Sequence, residues 1–205
     1  GMVDIHLHGA GGADFTRLDT STFATAGEFL VRHGVTACLA TVLTSPDKIV
    51  FETLERVREL KKNRSGGPAE VLGVHLEGPY LNPLQSGAHP GSLLAHPTPG
   101  HYLPFLEFND VLKMMTLAPE LPGAPGLVRS LREKGIVAAA GHTDGVHSEM
   151  AEAIEQGISH ATHFFCNMSN FRRHNLKRVA GAAETLLYDD RISGELIADG
   201  WHLGP

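Results

Sequence analysis

The sequence predicts an α/β fold, a (β/α)8 TIM-type barrel that is incomplete, with about seven strands present. Three observations carry this. Short apolar runs alternate with stretches of helical spacing, which implies a parallel sheet with crossover helices. Seven such runs follow one another in series, which favours a barrel over a doubly wound sheet. The residues able to do chemistry fall at the C-terminal ends of those runs, the functional end of a barrel.

The first strand is expected at Met2–His8. Side chains alternate faces along a strand, so Asp4, His6 and His8 share one face, and Val3, Ile5 and Leu7 the other. A helix follows at Ser21–His33, a strand at Val35–Thr41 and a helix at Pro46–Lys62. In the third strand, Val71–Glu77, the residues Gly73, His75 and Glu77 face inward, opposite Leu72, Val74 and Leu76. From Pro79 to about Phe108 the chain is rich in Pro, Gly and His and has no helical period, so it reads as a long loop over one face. Next come a strand at Leu112–Leu117, a helix at Pro125–Lys134 and a strand at Ile136–His142, where Ala138, Ala140 and His142 line up. A helix at Val146–Gln156 leads to a strand at Ile158–His163, with Ala161 beside His163. Phe164 to about Leu176 reads as a second loop, carrying Asn167, Asn170, Arg172, Arg173, His174 and Asn175. Ile192–Ala198 is the seventh strand. A full barrel needs one more strand and helix. Residues 1–205 are therefore expected to be a single partial barrel domain, a piece of a longer protein without its N-terminal domain and last strand.

Composition narrows the function. With 42% hydrophobic and 20% charged residues the chain can build a sizeable core. A net charge of -6 argues against a nucleic-acid binder, which would present a basic face. No apolar run of membrane-spanning length and no signal peptide is present, so neither a membrane nor an export route is expected. Cys38 and Cys166 form neither a disulfide framework nor a CxxC pair, and a cytoplasmic location is the default. The 13 histidines are the outlier and point to metal or proton chemistry.

Those histidines come in a fixed order. Asp4-Ile5-His6-Leu7-His8-Gly9 is followed by His75-Leu76-Glu77-Gly78-Pro79, Gly87-Ala88-His89, Gly141-His142-Thr143, Ala161-Thr162-His163 and Ala198-Asp199-Gly200-Trp201-His202. A His-x-His, then a Glu, then single histidines at later strand ends describe a metal site assembled from separate strands. Its candidate ligands are His6, His8, Glu77, His142 and His163. An inward carboxylate such as Glu77 is costly to bury unpaired, which calls for a cation. Histidine and carboxylate ligands suit zinc or iron, as one or two divalent ions. His75 lies a layer deeper and reads as core. His33, His96, His101, His147 and His160 read as surface or loop histidines.

With these residues the chain resembles the N-acetylglucosamine-6-phosphate deacetylases of the amidohydrolase superfamily, which are metal-dependent hydrolases. The carriers are the segments above together with Tyr80-Leu81-Asn82-Pro83 and Thr116-Leu117-Ala118-Pro119-Glu120, and they run nearly end to end. The resemblance implies Glu77, His142 and His163 as ligands of the main metal. It implies His6 and His8 as ligands of a second metal that only some members use. His89 resembles a histidine that contacts the sugar, and His202 one that polarises the substrate carbonyl or stabilises the oxyanion. The implied reaction converts N-acetylglucosamine 6-phosphate to glucosamine 6-phosphate and acetate, in a homodimer.

Three departures from the family pattern stand out. The family's base is an aspartate in a Thr-Asp-Ala string on the eighth strand. The chain stops before it, and Asp199 is a different residue on the seventh. Loss of that proton transfer is worth about 10²–10⁴-fold, so this chain alone is expected to be weakly active or inactive. The family's His-Leu-Phe-Asn-Ala-Met turn is His163-Phe164-Phe165-Cys166-Asn167-Met168 here, which puts Cys166 and Asn167 at its phosphate-holding positions. The family's Arg-x-Pro-Gly has no clean match, and Arg172, Arg173 and Arg178 are the candidates for a phosphate fork. Two alternatives follow. One is an amidohydrolase of another N-acyl sugar, such as N-acetylgalactosamine 6-phosphate or a non-phosphorylated amide. The other is a non-catalytic fragment that binds metal or sugar phosphate.

Overall fold

In a computed structural model, which describes residues 1–17, 21–63 and 68–204, the expected strands and helices all form. The order is β1 (Met2–Leu7), α1 (Thr22–Arg32), β2 (Val35–Leu43), α2 (Asp47–Asn63), β3 (Glu70–Glu77), α3 (Pro99–Leu106), β4 (Leu112–Leu117), α4 (Ala124–Glu133), β5 (Val137–Ala140), α5 (His147–Gln156), β6 (His160–Ala161), β7 (Arg172–His174), β8 (Lys177–Val179), α6 (Ala182–Tyr188) and β9 (Ser193–Gly194). Seven strands make one sheet in the order β1-β2-β3-β4-β5-β6-β9, every neighbour parallel.

The sheet is curled. Laid flat, six strand spacings would separate β1 from β9 by about 29 Å. Yet His6 of β1 hydrogen-bonds through Nδ1 to the carboxylate of Glu195, the residue after β9. The inner faces of the first and last strands therefore meet, and the sheet is a parallel half-barrel. The helices pack outside it through regularly spaced apolar residues: Phe23, Ala26 and Leu30 of α1, Val50, Leu54 and Val57 of α2, Leu127, Val128 and Leu131 of α4, and Met150, Ala153 and Ile154 of α5. No helix of the described residues is long and apolar enough to cross a membrane.

Strict alternation misplaces several inward residues. Ile5 and Leu72 pack inside with Leu39, Met114 and Ala139, apart from the helix-side core. The reason is irregular register. β1 takes three steps, Asp4 to Leu7, against two of β2, Cys38 to Ala40, and β2 and β3 slip between Cys38 and Leu39. Such a bulge turns consecutive side chains toward one face. In β5 and β6 the parity is reversed from that expected. Ala138, Ala140 and Ala161 belong to the helix-side core, whereas Ala139 and His160 face inward. His160 is 4% exposed, not a surface histidine. His142 and His163 still reach the interior, because they lie beyond the ends of these strands with φ of 49° and 31°. Left-handed backbone is unfavourable for histidine and persists where surrounding structure imposes it, as at functional sites.

The two long loops hold unexpected elements. Between residues 79 and 108 lies α3, which buries Tyr102, Phe105 and Leu106. Prolines at 99 and 104 hide its period in the sequence. The loop before it is pinned over the strand ends by backbone bonds from Asn82 to His142 (2.9 Å) and from Ala118 to Tyr80 (2.8 Å). The second loop contains the β7–β8 hairpin, turned by Asn175 and Leu176 with φ of 46° and 66°. That is the geometry of a two-residue turn with both central φ positive.

Candidate metal centre

Five histidines converge on one carboxylate at the C-terminal end of the sheet. Glu77, the last residue of β3, is 2% exposed. Its Oε1 lies 3.0 Å from Nε2 of His142, 3.0 Å from Nε2 of His163 and 3.5 Å from Nε2 of His6. Its Oε2 lies 3.4 Å from Nε2 of His8 and 3.5 Å from Nε2 of His89. The carboxylate thus stands between two sets of ring nitrogens.

Hydrogen bonds on the far side of His142, His6 and His89 fix what each Nε2 offers. His142 Nδ1 donates to the carbonyl of Gln85 at 2.8 Å, so its Nε2 presents a lone pair. His6 Nδ1 donates to the Glu195 carboxylate, so Nε2 is the ring atom left to face an ion, on loss of its own proton. His89 differs. The backbone N–H of Thr44 donates to its Nδ1 at 3.3 Å, and the Thr44 hydroxyl lies 2.8 Å away. Its Nε2 therefore carries the proton. His89 is built as a donor rather than a ligand, although buried among ligand atoms.

The donor set fits a cation better than it fits itself. The Nε2 atoms of His142 and His163 are 3.1 Å apart, and those of His6 and His8 3.3 Å. Among the described residues, Glu77 Oε2, His8 Nδ1 and His163 Nδ1 are buried without hydrogen-bond partners. Ligand atoms of His6, His8 and Glu77, and of Glu77, His89 and His142, each lie within 4.8 Å of one another. One carboxylate with neutral imidazoles is chemistry for zinc or iron.

The carboxylates set the charges around the centre. Burial disfavours the charge on Glu77, yet the facing rings of His142, His163, His6 and His89 outweigh it and hold the carboxyl well below its usual range. Burial likewise opposes a proton on His6, but the carboxylates of Glu195 and Glu77 push its pKa up to about 10. Burial lowers that of His8. Beneath lies a polar layer. His75, fully buried, bonds Thr116 Oγ1 at 2.7 Å through Nε2, and Thr116 Oγ1 bonds Thr162 Oγ1 at 2.7 Å. Burial, with His6 nearby, lowers the pKa of His75 to about 3, so it is a neutral core residue as expected.

Two carboxylates that support the centre escaped the sequence reading. Glu120, after β4, accepts from Asn82 Nδ2 (2.9 Å), the Thr143 hydroxyl (2.5 Å) and the Asp144 backbone N–H (2.7 Å). It ties together the loops after β3, β4 and β5 and so holds the segment that bears His142. Glu195 accepts from His6 and from the backbone N–H of His163 (3.1 Å). Its signal in the sequence was an acid inside an otherwise apolar strand candidate.

The remaining expected residues are scattered. A cavity of about 720 Å³ opens over the centre, and Asn167 and His202 line it with His89. His202 sits at the exposed rim, its Nδ1 2.7 Å from Asp199 Oδ2. Asn167 has φ of 51°. Cys166 is half-buried, and it is not among the lining residues. Neither are Arg172 and Arg173. Arg173 is exposed. The Arg172 guanidinium is already engaged by both oxygens of Asp144, at 2.7 and 2.6 Å, and by its carbonyl at 2.5 Å.

No protein-family profile matches the chain. Individual relatives do. N-acetylglucosamine-6-phosphate deacetylase of Bacillus subtilis is 36% identical over 100% of the chain. The crystal structure of N-acetylglucosamine-6-phosphate deacetylase from Pasteurella multocida superposes with a TM-score of 0.90 over 99% of the chain, at 30% identity. Over its whole length the chain is similar to N-acetylglucosamine-6-phosphate deacetylases. An N-acetylgalactosamine-6-phosphate deacetylase of Escherichia coli is 30% identical over 99% of the chain. The chain spans about half the length of these relatives, 52% of the B. subtilis and P. multocida proteins and 53% of the E. coli one.

Proposed function

We propose that the chain carries the metal centre and carbonyl-facing donors of a deacetylase that converts N-acetylglucosamine 6-phosphate to glucosamine 6-phosphate and acetate. The observation that carries this reading is the convergence of His6, His8, His142 and His163 on Glu77, with His89 present as a proton-bearing donor. Glu77, His142 and His163 would hold the main ion, and His6 and His8, with Glu77 bridging, a second. When bound, a divalent zinc or iron ion supplies a Lewis acid and makes water nucleophilic near neutral pH.

The protein's own groups do the rest. His89 directs Nε2–H into the cavity, suited to an oxygen of the acetamide or sugar. His202 has its Nδ1–H held by Asp199, so it would donate Nε2–H to the carbonyl oxygen, as negative charge develops there, only with both ring nitrogens protonated. Water adds its oxygen to the acetamide carbonyl carbon, the amide C–N bond breaks, acetate leaves with that oxygen, and the amine takes up a proton from the water. Asn167, at the cavity wall, and Cys166, Arg172 and Arg173, in the adjoining turn and hairpin, are the phosphate-side candidates. Arg172 serves only if Asp144 releases it. The setting is a cytoplasmic homodimer acting on a small amino-sugar phosphate.

Metal analysis of the purified chain tests the centre. One or two equivalents of zinc or iron are expected, and Glu77→Ala or His142→Ala should lose them. Full metal content in both variants would overturn the reading. A second substrate, N-acetylgalactosamine 6-phosphate, is favoured by the E. coli relative, whereas the engaged state of Arg172 favours a non-phosphorylated amide. Acetate release from both phosphorylated sugars and from plain N-acetylglucosamine, by a protein of the relatives' full length, separates the two.

A further inference from the structure

We propose that Glu195 is a positioning residue that fixes His6 as an Nε2 ligand and thereby builds the second metal position. The inference rests on the metal-centre reading above and adds a residue to it. His6 and Glu195 come from opposite edges of the sheet, 189 residues apart, and meet inside it. The Glu195 side chain is mostly buried, and Oε1 accepts from His6 Nδ1 and from the His163 backbone. Its main chain is tied as well: its N–H donates to Ala161 at 3.2 Å, and its carbonyl accepts from Phe164 at 2.8 Å. The carboxylate is therefore held in place and not a mobile surface group.

A carboxylate behind an imidazole does two things. It fixes the proton on Nδ1, which leaves Nε2 free to ligate, and it raises the basicity of that nitrogen. His6 needs this more than the other rings. His8, its partner just past β1, has an Nδ1 with no hydrogen bond among the described residues, so His6 is the better-defined half of the pair. His142 takes its orientation from Gln85 and does not depend on Glu195. Glu195 touches an imidazole ligand at His6 and reaches His163 of the main position only through its main chain, so its direct action on a ligand ring is at the second position. His160 stands on the other side of the carboxylate, Nε2 3.5 Å from Oε2, and bonds Ser193 Oγ at 2.9 Å through Nδ1. Both of these facing atoms are buried, and neither has a hydrogen-bond partner among the described residues.

The test is zinc stoichiometry and stepwise affinity by chelator competition on the whole chain, for the parent, Glu195→Gln and Glu195→Ala. The parent should take up two ions. Glu195→Gln keeps the shape and should weaken the second ion about 10–100-fold while leaving the first nearly unchanged. Glu195→Ala should lose the second. Long-range ¹H–¹⁵N spectra of the zinc-loaded chain should report a proton on His6 Nδ1 in the parent whose chemical shift moves in Glu195→Gln, a readout that a purely structural role would not move. Unchanged second-ion affinity in both variants overturns the proposal, as does a parent that binds one ion only. Glu77→Ala is the control: if it keeps both ions, the metal-centre reading itself fails.

Discussion

At the scale of residues, chemistry was more legible than direction. His6, His8, Glu77, His142 and His163 announce themselves because few other roles bring those side chains to successive strand ends. Their route inward was not legible. A bulge in β1 and positive φ at His142 and His163 decide it, and neither leaves a mark that alternation can read. Glu195 was missed because one acid among apolar residues looks the same whether it faces solvent or a histidine. The buried layer below the centre gives a pH test. The pKa of His75 falls from 6.5 to about 3 on folding, so the unfolded chain binds the extra proton between those values. Stability from this group is then fully present above pH 6.5 and is lost as pH falls toward 3. Against a His75→Gln variant, urea unfolding should show a relative loss approaching tenfold in the folding equilibrium per pH unit inside that window. A pH-independent difference would contradict the neutral assignment.

At the scale of elements, strands and helices with clean periods were all legible, and short or proline-bearing ones were not. α3 begins with a proline and contains another, and α6 is only 7 residues long. The β7–β8 hairpin has no glycine in its turn, the usual signal. That omission predicts a stabilising change. Leu176 is highly exposed with φ of 66°, so Leu176→Gly relieves left-handed strain and should raise stability by about 1 kcal/mol in thermal or urea unfolding. β9 gives the opposite case. A Cβ on Gly194 would lie 1.9 Å from the ring of Phe164, which is itself core. Gly194→Ala should destabilise by roughly 1–3 kcal/mol through overpacking, and it should also disturb zinc uptake, because Glu195 is next in the chain.

At the scale of the whole molecule, strand order was the most secure expectation, since serial parallel strands leave few topologies. The curl was the less obvious part, and it follows from one inward contact between the two edges. Those edges remain open: among the described residues β1 and β9 each pair on one side only. Met2 is 61% and Val3 55% exposed beside that gap. Unpaired edges recruit other strands. Sedimentation of the chain should show association that grows with concentration, and a concentration-independent monomer would contradict this.

The contact between His6 and Glu195 also sets a clock. Ligands drawn from residue 6 onward meet their support only when residue 195 arrives, so the chain must close nearly its largest loop before the second ion has a home. Contacts of such separation form late, because their entropy is lost before they return any stabilisation. During refolding, uptake of the second ion should lag behind the recovery of helical signal, which makes the metal a reporter of the last step of assembly.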